Sequence, residues 1–486
     1  LAIGLADAVH LLLRYQQTRR KGVNKKEAIF DSLNYNFVPT VLTTVTTAVG
    51  FLSLSITDIL PIHDLGVLSC LGTLTAWVFT YFFLMPILVL LPEFKLRVEK
   101  ERVESKRSEN YVAFIKRHAK VIVFVFLGIN GVFLYYGLKN HVNADPMQYF
   151  DENVAIKRDY NFFIEKMDTE GGIDFVIDSH KKDGIKDPIF MRKVEALITW
   201  IKTQEYIVGV NSINDVVKKL NKTLNEGDEG YFRIPETRRG ISDILLLYTL
   251  GLPPGMDAKN MMSVDSQKMR VTLRWTLRQS SERNVAVREI LKKAGNIGID
   301  VEHMGKSLIY FGVTDEVVVT YFRSIAMTFL FVSFIIFVVF RDWKLAVLGM
   351  LPNIVPLIFG AGIMTMLGIH IDIGTAIVCS VCLGIAVDDT IHFITGFQKG
   401  IEKGLPIEEA LRDTFDNTGK ALVYTTILLL FGFGSFMFGD FVPNQHFGLL
   451  CSIMLSQALV TDLVFLPAIL MFYRKTTVMV KSVELS

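Results

Sequence analysis

The chain has 486 residues, of which 51% are hydrophobic and 21% charged, and its net charge is +2. Long charge-free runs alternate with strongly charged connectors, which excludes an ordinary water-soluble globule, and a charge this near neutral gives no reason to expect nucleic acid. Cys70, Cys379, Cys382 and Cys451 all sit inside apolar runs. That excludes a disulfide framework, and Cys379 and Cys382 lack the further ligands of a zinc site.

In chain order, Leu1–Leu13 is an apolar stretch too short to cross a bilayer alone, read as the inner end of a truncated helix. Eight runs reach the ~20 residues that a spanning helix needs. They are Val38–Ile56, Leu65–Leu91, Val121–Leu138, Val317–Phe340, Leu345–Ile369, Ile373–Phe397, Ala421–Phe438 and Phe447–Tyr473. Basic connectors follow alternate spans: Arg14 to Lys26, Lys95 to Lys120, Arg341 with Lys344, Lys399 to Arg412, and Arg474 with Lys475. The connectors Thr57–Asp64, His370–Asp372 and Gly439–His446 carry no Lys or Arg. The positive-inside rule makes the basic loops cytoplasmic and puts residues 139–315 outside.

Within 139–315 the pattern is mixed. Ile173–Ile177, Tyr206–Val210, Lys268–Thr276 and Gly298–His303 read as strands, while Pro188–Lys202, Arg238–Leu250 and Glu282–Lys293 have helical spacing. Strand–helix–strand twice over predicts a split βαβ, ferredoxin-like α/β domain. Leu252-Pro253-Pro254-Gly255 stops the middle helix, and Met256, Met261, Met262 and Met269 cluster after it, either as core filler or as an adaptable apolar surface. Pro352, Asn353 and Pro356 are expected to break the helix that follows Lys344.

Shifting the sequence by 382 positions aligns its two ends over about 80 residues. Asp7 falls on Asp389, His10 on His392, Gly22 on Gly404, Thr43 and Thr44 on Thr425 and Thr426, Pro61 on Pro443 and Gly66 on Gly448. Two six-helix copies running in the same direction are the mark of a parallel-repeat transporter. The expected division is 1–91 as the last three helices of a first repeat, 92–120 as a basic cytoplasmic linker, and 121–138 as the first helix of the second. Residues 139–315 form the outer domain, 316–473 the five remaining helices and 474–486 a cytoplasmic tail. The same logic predicts roughly 260–270 further residues, with another outer domain, ahead of Leu1.

Acids inside apolar helices carry the chemistry. Asp388, Asp389 and His392 lie in the inner half of one span, with Asp7 and His10 as their counterparts. Asp389 with His392, and Asp7 with His10, are three apart and so share a helix face. An ionised Asp at mid-helix costs about 2.5–3.5 kcal/mol, so such acids must be paired, hydrated or protonated. A desolvated carboxyl beside a histidine can pass a proton; a structural tie between helices is the other reading. Thr43, Thr44, Thr390, Thr425, Thr426 and Asp462 are candidates to support the relay, the threonines also serving as ordinary interhelical ties. No phosphate-binding loop, zinc motif or nucleophile elbow is present, so the reading is a secondary transporter driven by an ion gradient, with no cofactor, rather than an enzyme.

The run Gly384-Ile385-Ala386-Val387-Asp388-Asp389-Thr390-Ile391-His392-Phe393 resembles the fourth- and tenth-helix motif of the resistance–nodulation–division (RND) superfamily. Within it the resemblance is to MMPL-type and hydrophobe/amphiphile exporters, relatives of Patched and the Niemann–Pick sterol transporter. That resemblance implies proton-driven export of lipids or other hydrophobic molecules from a bacterial inner membrane, with Asp7, Asp388 and Asp389 as proton carriers. It further implies a porter-like outer domain and helices like a sterol-sensing domain. The implied partners are a hydrophobic substrate and the bilayer, with a homo-oligomer as a possible state. MMPL-type proteins usually follow the acid with tyrosine, whereas Ala8 and Thr390 stand here, leaving His10 and His392 to take any such role. A sterol-sensing receptor and a SecDF-like assistant of protein export share the plan as alternatives.

Overall fold

The computed structural model describes residues 2–92, 102–143, 145–167, 169, 171–253, 258–277 and 279–473. The tail 474–486, residues 93–101 of the basic linker, and Pro254, Gly255 and Met256 lie outside the described residues. The chain forms two compact units, Leu1–His141 with Glu316–Ser486, and Val142–Asp315.

In chain order the helical unit opens with α1 (Ala2–Arg20), α2 (Lys25–Leu52, continued by a 3-10 turn over Ser53–Ile56) and α3 (Leu60–Phe79). α4 (Met85–Leu90) follows α3 through a π turn, and α5 (Arg102–Gly137) closes the stretch before the second unit. That unit contributes α6 (Ala155–Met167), β1 (Gly172–Asp178), α7 (Pro188–Lys202), β2 (Ile207–Ser212), α8 (Ile213–Leu224) and α9 (Arg238–Leu250). It ends with β3 (Lys268–Trp275), α10 (Ser280–Ile297) and β4 (Asp300–Met304). The chain returns through α11 (Lys306–Phe340), α12 (Trp343–Met366) and α13 (Thr375–Glu402). It then runs through α14 (Ile407–Thr414), α15 (Lys420–Gly434), α16 (Val442–Val460) and α17 (Leu466–Leu470).

Among the described residues eight helical segments are long and apolar enough to cross a membrane, and they coincide with the eight apolar runs. Several are longer than those runs. α2 begins at Lys25 because Asn24 caps it, its side chain accepting from the Glu27 amide at 2.9 Å. α13 is the central helix: 94% of its apolar window is buried, against 22% for the spans over α3 and α11, which present apolar side chains outward as a lipid-facing helix does. α12 contradicts its expected break, running unbroken through Pro352 and Pro356. Prolines are tolerated inside membrane helices, and Asn353 beside Pro352 folds its Nδ2 back onto the Gly349 carbonyl at 2.8 Å.

The repeat is visible in fine detail. The 3-10 turn Ser53–Ile56 recurs as Ser435–Phe438, and the π turn Thr80–Leu84 recurs, one residue out of step, as Thr461–Phe465. Gly22 and Gly404 hold the same left-handed conformation, at φ 84° and 83°. A methyl group at Gly66 would sit 2.7 Å from the Phe51 carbonyl, and one at Gly448 2.6 Å from that of Phe433, the equivalent residue.

In the second unit, β2-β3-β1-β4 form one antiparallel sheet. Sequential β1-α7-β2 and β3-α10-β4 units interleaved in that order are the split βαβ sandwich the strand pattern predicts, with α8 and α9 inserted between its halves. Ile173, Phe175 and Ile177 alternate onto the face that packs against Met191, Val194 and Ile198 of α7 and Ile290 of α10. Met269 lies in this core, with Met261 and Met262 packed against it, so these three serve as filler.

Lys218 on α8 is buried against Glu195 (2.5 Å) and Asp215 (3.3 Å). Burial pushes the Asp215 carboxyl up, but the Ser212 hydroxyl and the charges of Lys202 and Lys218 together hold it below its ordinary 3.8. Burial pushes Lys218 down, and the Glu195 and Asp215 contacts outweigh it, leaving the ammonium above its ordinary 10.5. The depressed acid stabilises the fold above pH 3.8 and loses that contribution as pH falls through its folded value. The raised amine stabilises below pH 10.5 and loses its share as pH rises through its own. Lys218→Met is expected to cost about 1–3 kcal/mol by leaving two partly buried carboxylates short of a partner. Hydrogen exchange at the α7 and α8 amides measures this, and protection equal to wild type at neutral pH contradicts it.

Candidate functional site

The acids expected in the bundle gather around α13. Asp7 on α1, and Asp389 and Asp462, are all buried, and each meets threonines. The Thr44 hydroxyl donates to Asp7 Oδ2 at 3.4 Å. Its repeat counterpart Thr426 donates to Asp389 Oδ2 at 3.3 Å, and Thr425 to Oδ1 at 3.5 Å. Thr390 donates to Asp462 Oδ1 at 2.7 Å and lies 3.4 Å from Asn353 Oδ1. Thr43 donates to the Thr40 carbonyl at 3.1 Å, and its side chain also faces Asp388.

The histidine pairing differs from the expected i, i+3 face. His392 Nε2 lies 3.4 Å from Asp388 Oδ1, a full turn away, while Asp389 turns toward α15. The reason is helical: i, i+4 side chains stack more directly than i, i+3, and Asp389 is drawn off by two hydroxyls. At the meeting of the two copies the rings of His10 and His392 stack with centroids 3.8 Å apart and planes 7° from parallel. The repeat thus places its two histidines face to face.

Three buried atoms at this point make no hydrogen bond among the described residues: His10 Nε2, His392 Nε2 and Asp388 Oδ1. One nitrogen of each histidine and one carboxylate oxygen of Asp388 lie within 4.8 Å of one another. They do not suit a shared metal ion. A nitrogen donates in its ring plane at about 2.0–2.1 Å, and two parallel rings one stacking distance apart cannot both bring such a lone pair to one ion. Asp7, Asp389 and Asp462 all lie within electrostatic reach of Asp388. Among the described residues, no Lys or Arg pairs with any of the four.

At the end of the bundle that carries the basic connectors lies a collar of cations and one aromatic ring. The Arg14 guanidinium and Lys399 ammonium lie 4.1 Å and 3.9 Å from the centre of the Tyr35 ring, and Arg14 pairs with Asp31 at 2.9 Å. Neither this collar nor the Asn353 contact was expected from sequence. Tyr35 and Asn417, which accepts from Arg14 at 3.4 Å, occupy equivalent positions in the two copies, the one available signal.

Known proteins resemble this chain in sequence and in fold. The MMPL family model matches residues 1–122 and 197–481. A putative membrane protein of Methanocaldococcus jannaschii is 29% identical over 136 residues, which are 28% of this chain and 35% of that protein. The structure of the hedgehog release protein Disp from the water bear Hypsibius dujardini is similar in fold, with a TM-score of 0.66 at 10% identity. That similarity covers 97% of this chain and 62% of the Disp chain, so this chain spans less than two thirds of either relative. Matched over most of its length, this multi-pass membrane protein belongs to the MMPL family.

Proposed function

We propose that this chain carries the coupling machinery of a proton-driven exporter that moves lipids or other hydrophobic molecules out of the membrane in which it sits. In this reading α1–α4 end a first repeat, α5 with α11–α17 form the second, and residues 142–315 are a porter-like domain outside the cytoplasm. Asp7, Asp388 and Asp389 carry the protons, His10 and His392 pass them, and the threonines with Asp462 orient the acids.

One observation supports this most: four acids share an interior with two stacked imidazoles, and among the described residues no Lys or Arg neutralises them. Burying charge without a partner is costly, so these groups hold protons, hydrate, or exchange between the two states. A purely structural tie is served by satisfied hydrogen bonds, whereas here both Nε2 atoms are left open. Membership of the MMPL family is consistent with this reading.

The test is reconstitution of the full-length protein in liposomes carrying a fluorescent lipid or dye. An imposed pH gradient is expected to drive cargo movement, a protonophore to abolish it, and a sodium gradient at equal pH to leave it idle. Movement indifferent to the protonophore contradicts the reading.

A further inference from the structure

α11 carries a polar stripe that its apolar composition hides. Glu316, Thr320, Ser324 and Thr328 recur every four residues and so share one face, which continues as Val332, Ile336 and Phe340. On α13 the residues Ser380, Gly384, Asp388 and His392 recur in the same way.

These faces meet in rungs, together with α2 and its 3-10 extension. Glu316 Oε1 accepts from the Thr57 hydroxyl at 3.4 Å and the Asp58 amide at 3.3 Å, and Thr320 donates to Thr57 Oγ1 at 2.7 Å. Ser380 donates to Ser324 Oγ at 2.7 Å, Thr328 to Ser53 Oγ at 2.8 Å, and Thr47 to the Gly384 carbonyl at 3.0 Å. All seven hydroxyl side chains of these rungs are buried. One further turn of α13 leads to Asp388 and the open Nε2 atoms of His392 and His10, both histidines only 5% exposed. The stripe therefore begins at a part-exposed carboxylate, beside Arg323, and ends at the Asp388–His392 pair, 3.4 Å apart with no well-formed hydrogen bond, and the open Nε2 of His10. The inner continuation is different in kind: Val332, Ile336 and Phe340 pack with Val387, Ile391 and Phe397 in a closed apolar cluster.

We propose that the seam of α11 against α2 and α13 is the outer water access to the Asp388–His392–His10 cluster, shut in this conformation and opened when the outer half of α11 moves away. Its role as a proton route rests on the proton-coupled reading above. Thr320 still reaches Glu316 at 3.5 Å, but deeper in the seam, among the described residues, no hydrogen bond joins Thr320 to Ser324 or Ser324 to Thr328, and the recess at the mouth has no room for water. The closed seam therefore does not conduct. Opening it exchanges hydroxyl–hydroxyl bonds for bonds to water at little net cost. Opening the inner half exposes apolar surface at about 25 cal/mol per Å², so Val332 to Phe340 stay packed as the pivot. Hydroxyl pairs also tie helices together in many membrane proteins. A tie alone, however, accounts neither for the restriction of polarity to the outer half nor for the open acid at its foot.

The test places single cysteines in full-length protein whose Cys70, Cys379, Cys382 and Cys451 are replaced by Ala. A membrane-impermeant methanethiosulfonate is applied to either face of sealed vesicles, and only variants that purify monodisperse are compared. Ser324→Cys and Thr328→Cys are expected to react from the outer face on the order of tenfold faster than Val332→Cys and Ile336→Cys, because the thiolate forms where water reaches. Equal rates, or reaction from the inner face alone, overturn the proposal. Asp389→Asn assayed for transport in parallel separates the two ideas. Outer labelling with transport indifferent to Asp389→Asn leaves the water access standing and removes its proton role. Absent labelling with transport lost in Asp389→Asn removes the seam and leaves the relay.

Discussion

Asp389→Asn in the full-length protein is expected to lower gradient-driven transport on the order of a hundredfold or more, the scale set by losing a positioned proton-transfer group. Its fold should survive. The amide matches the carboxyl in shape and its oxygen still accepts from Thr425; Thr426 already donates to the Leu422 carbonyl at 2.8 Å, so its oxygen is free to accept from the new amide. What disappears is the ability to bind and release a proton. Asp7→Asn should act in the same direction, because Thr44 holds Asp7 as Thr426 holds Asp389. Asp462→Asn should do less, since Asp462 is held by Thr390 and its repeat position is Thr80, which cannot carry a proton in the same way. Transport by Asp389→Asn at the wild-type rate contradicts the assignment.

Gly384→Val is expected to destabilise the helical unit at the crossing one turn from the acids. α2 crosses α13 at Gly50 and Gly384, where a methyl group on Gly384 would lie 3.1 Å from the Gly50 Cα and 3.4 Å from the Thr46 carbonyl. Both obstacles are backbone, so neither can rotate aside. Overpacking of this kind costs about 1–3 kcal/mol, and a branched side chain belongs at the upper end. Forcing the helices apart also strains the Thr47 bond to the Gly384 carbonyl and shifts Asp388 one turn below. Thermal unfolding in detergent measures the loss, with Gly128→Ala as control, where an added methyl meets nothing within 4 Å. A Gly384→Val melting point equal to that control contradicts the close crossing.

Much of this architecture was legible because bilayers and repeats leave strong marks. Apolar length located all eight spans, and the 382-residue shift matched His10 with His392, whose rings prove to stack. In the second unit, alternation in Ile173–Ile177 and the Pro188–Lys202 spacing gave strands and helices close to those observed, because each buries one face. The misses have local causes. Pro352 and Pro356 break helices in water, yet prolines are tolerated inside membrane helices and α12 runs on. The partner of His392 depends on which way Asp388 and Asp389 turn, and that is decided by Thr425 and Thr426 on a distant helix. The Glu316–Thr328 stripe was readable as an i, i+4 pattern but was masked by the apolar residues between its members.

The central claim is that the buried acids take up and release protons, and infrared difference spectroscopy of the purified protein across a pH titration tests it most directly. The account predicts a protonated-carboxyl stretching band that grows reversibly as pH falls, shrinks in Asp389→Asn and shrinks further when Asp7→Asn and Asp388→Asn are added. A spectrum with no titrating carboxyl band, or one that the three substitutions leave unchanged, contradicts it.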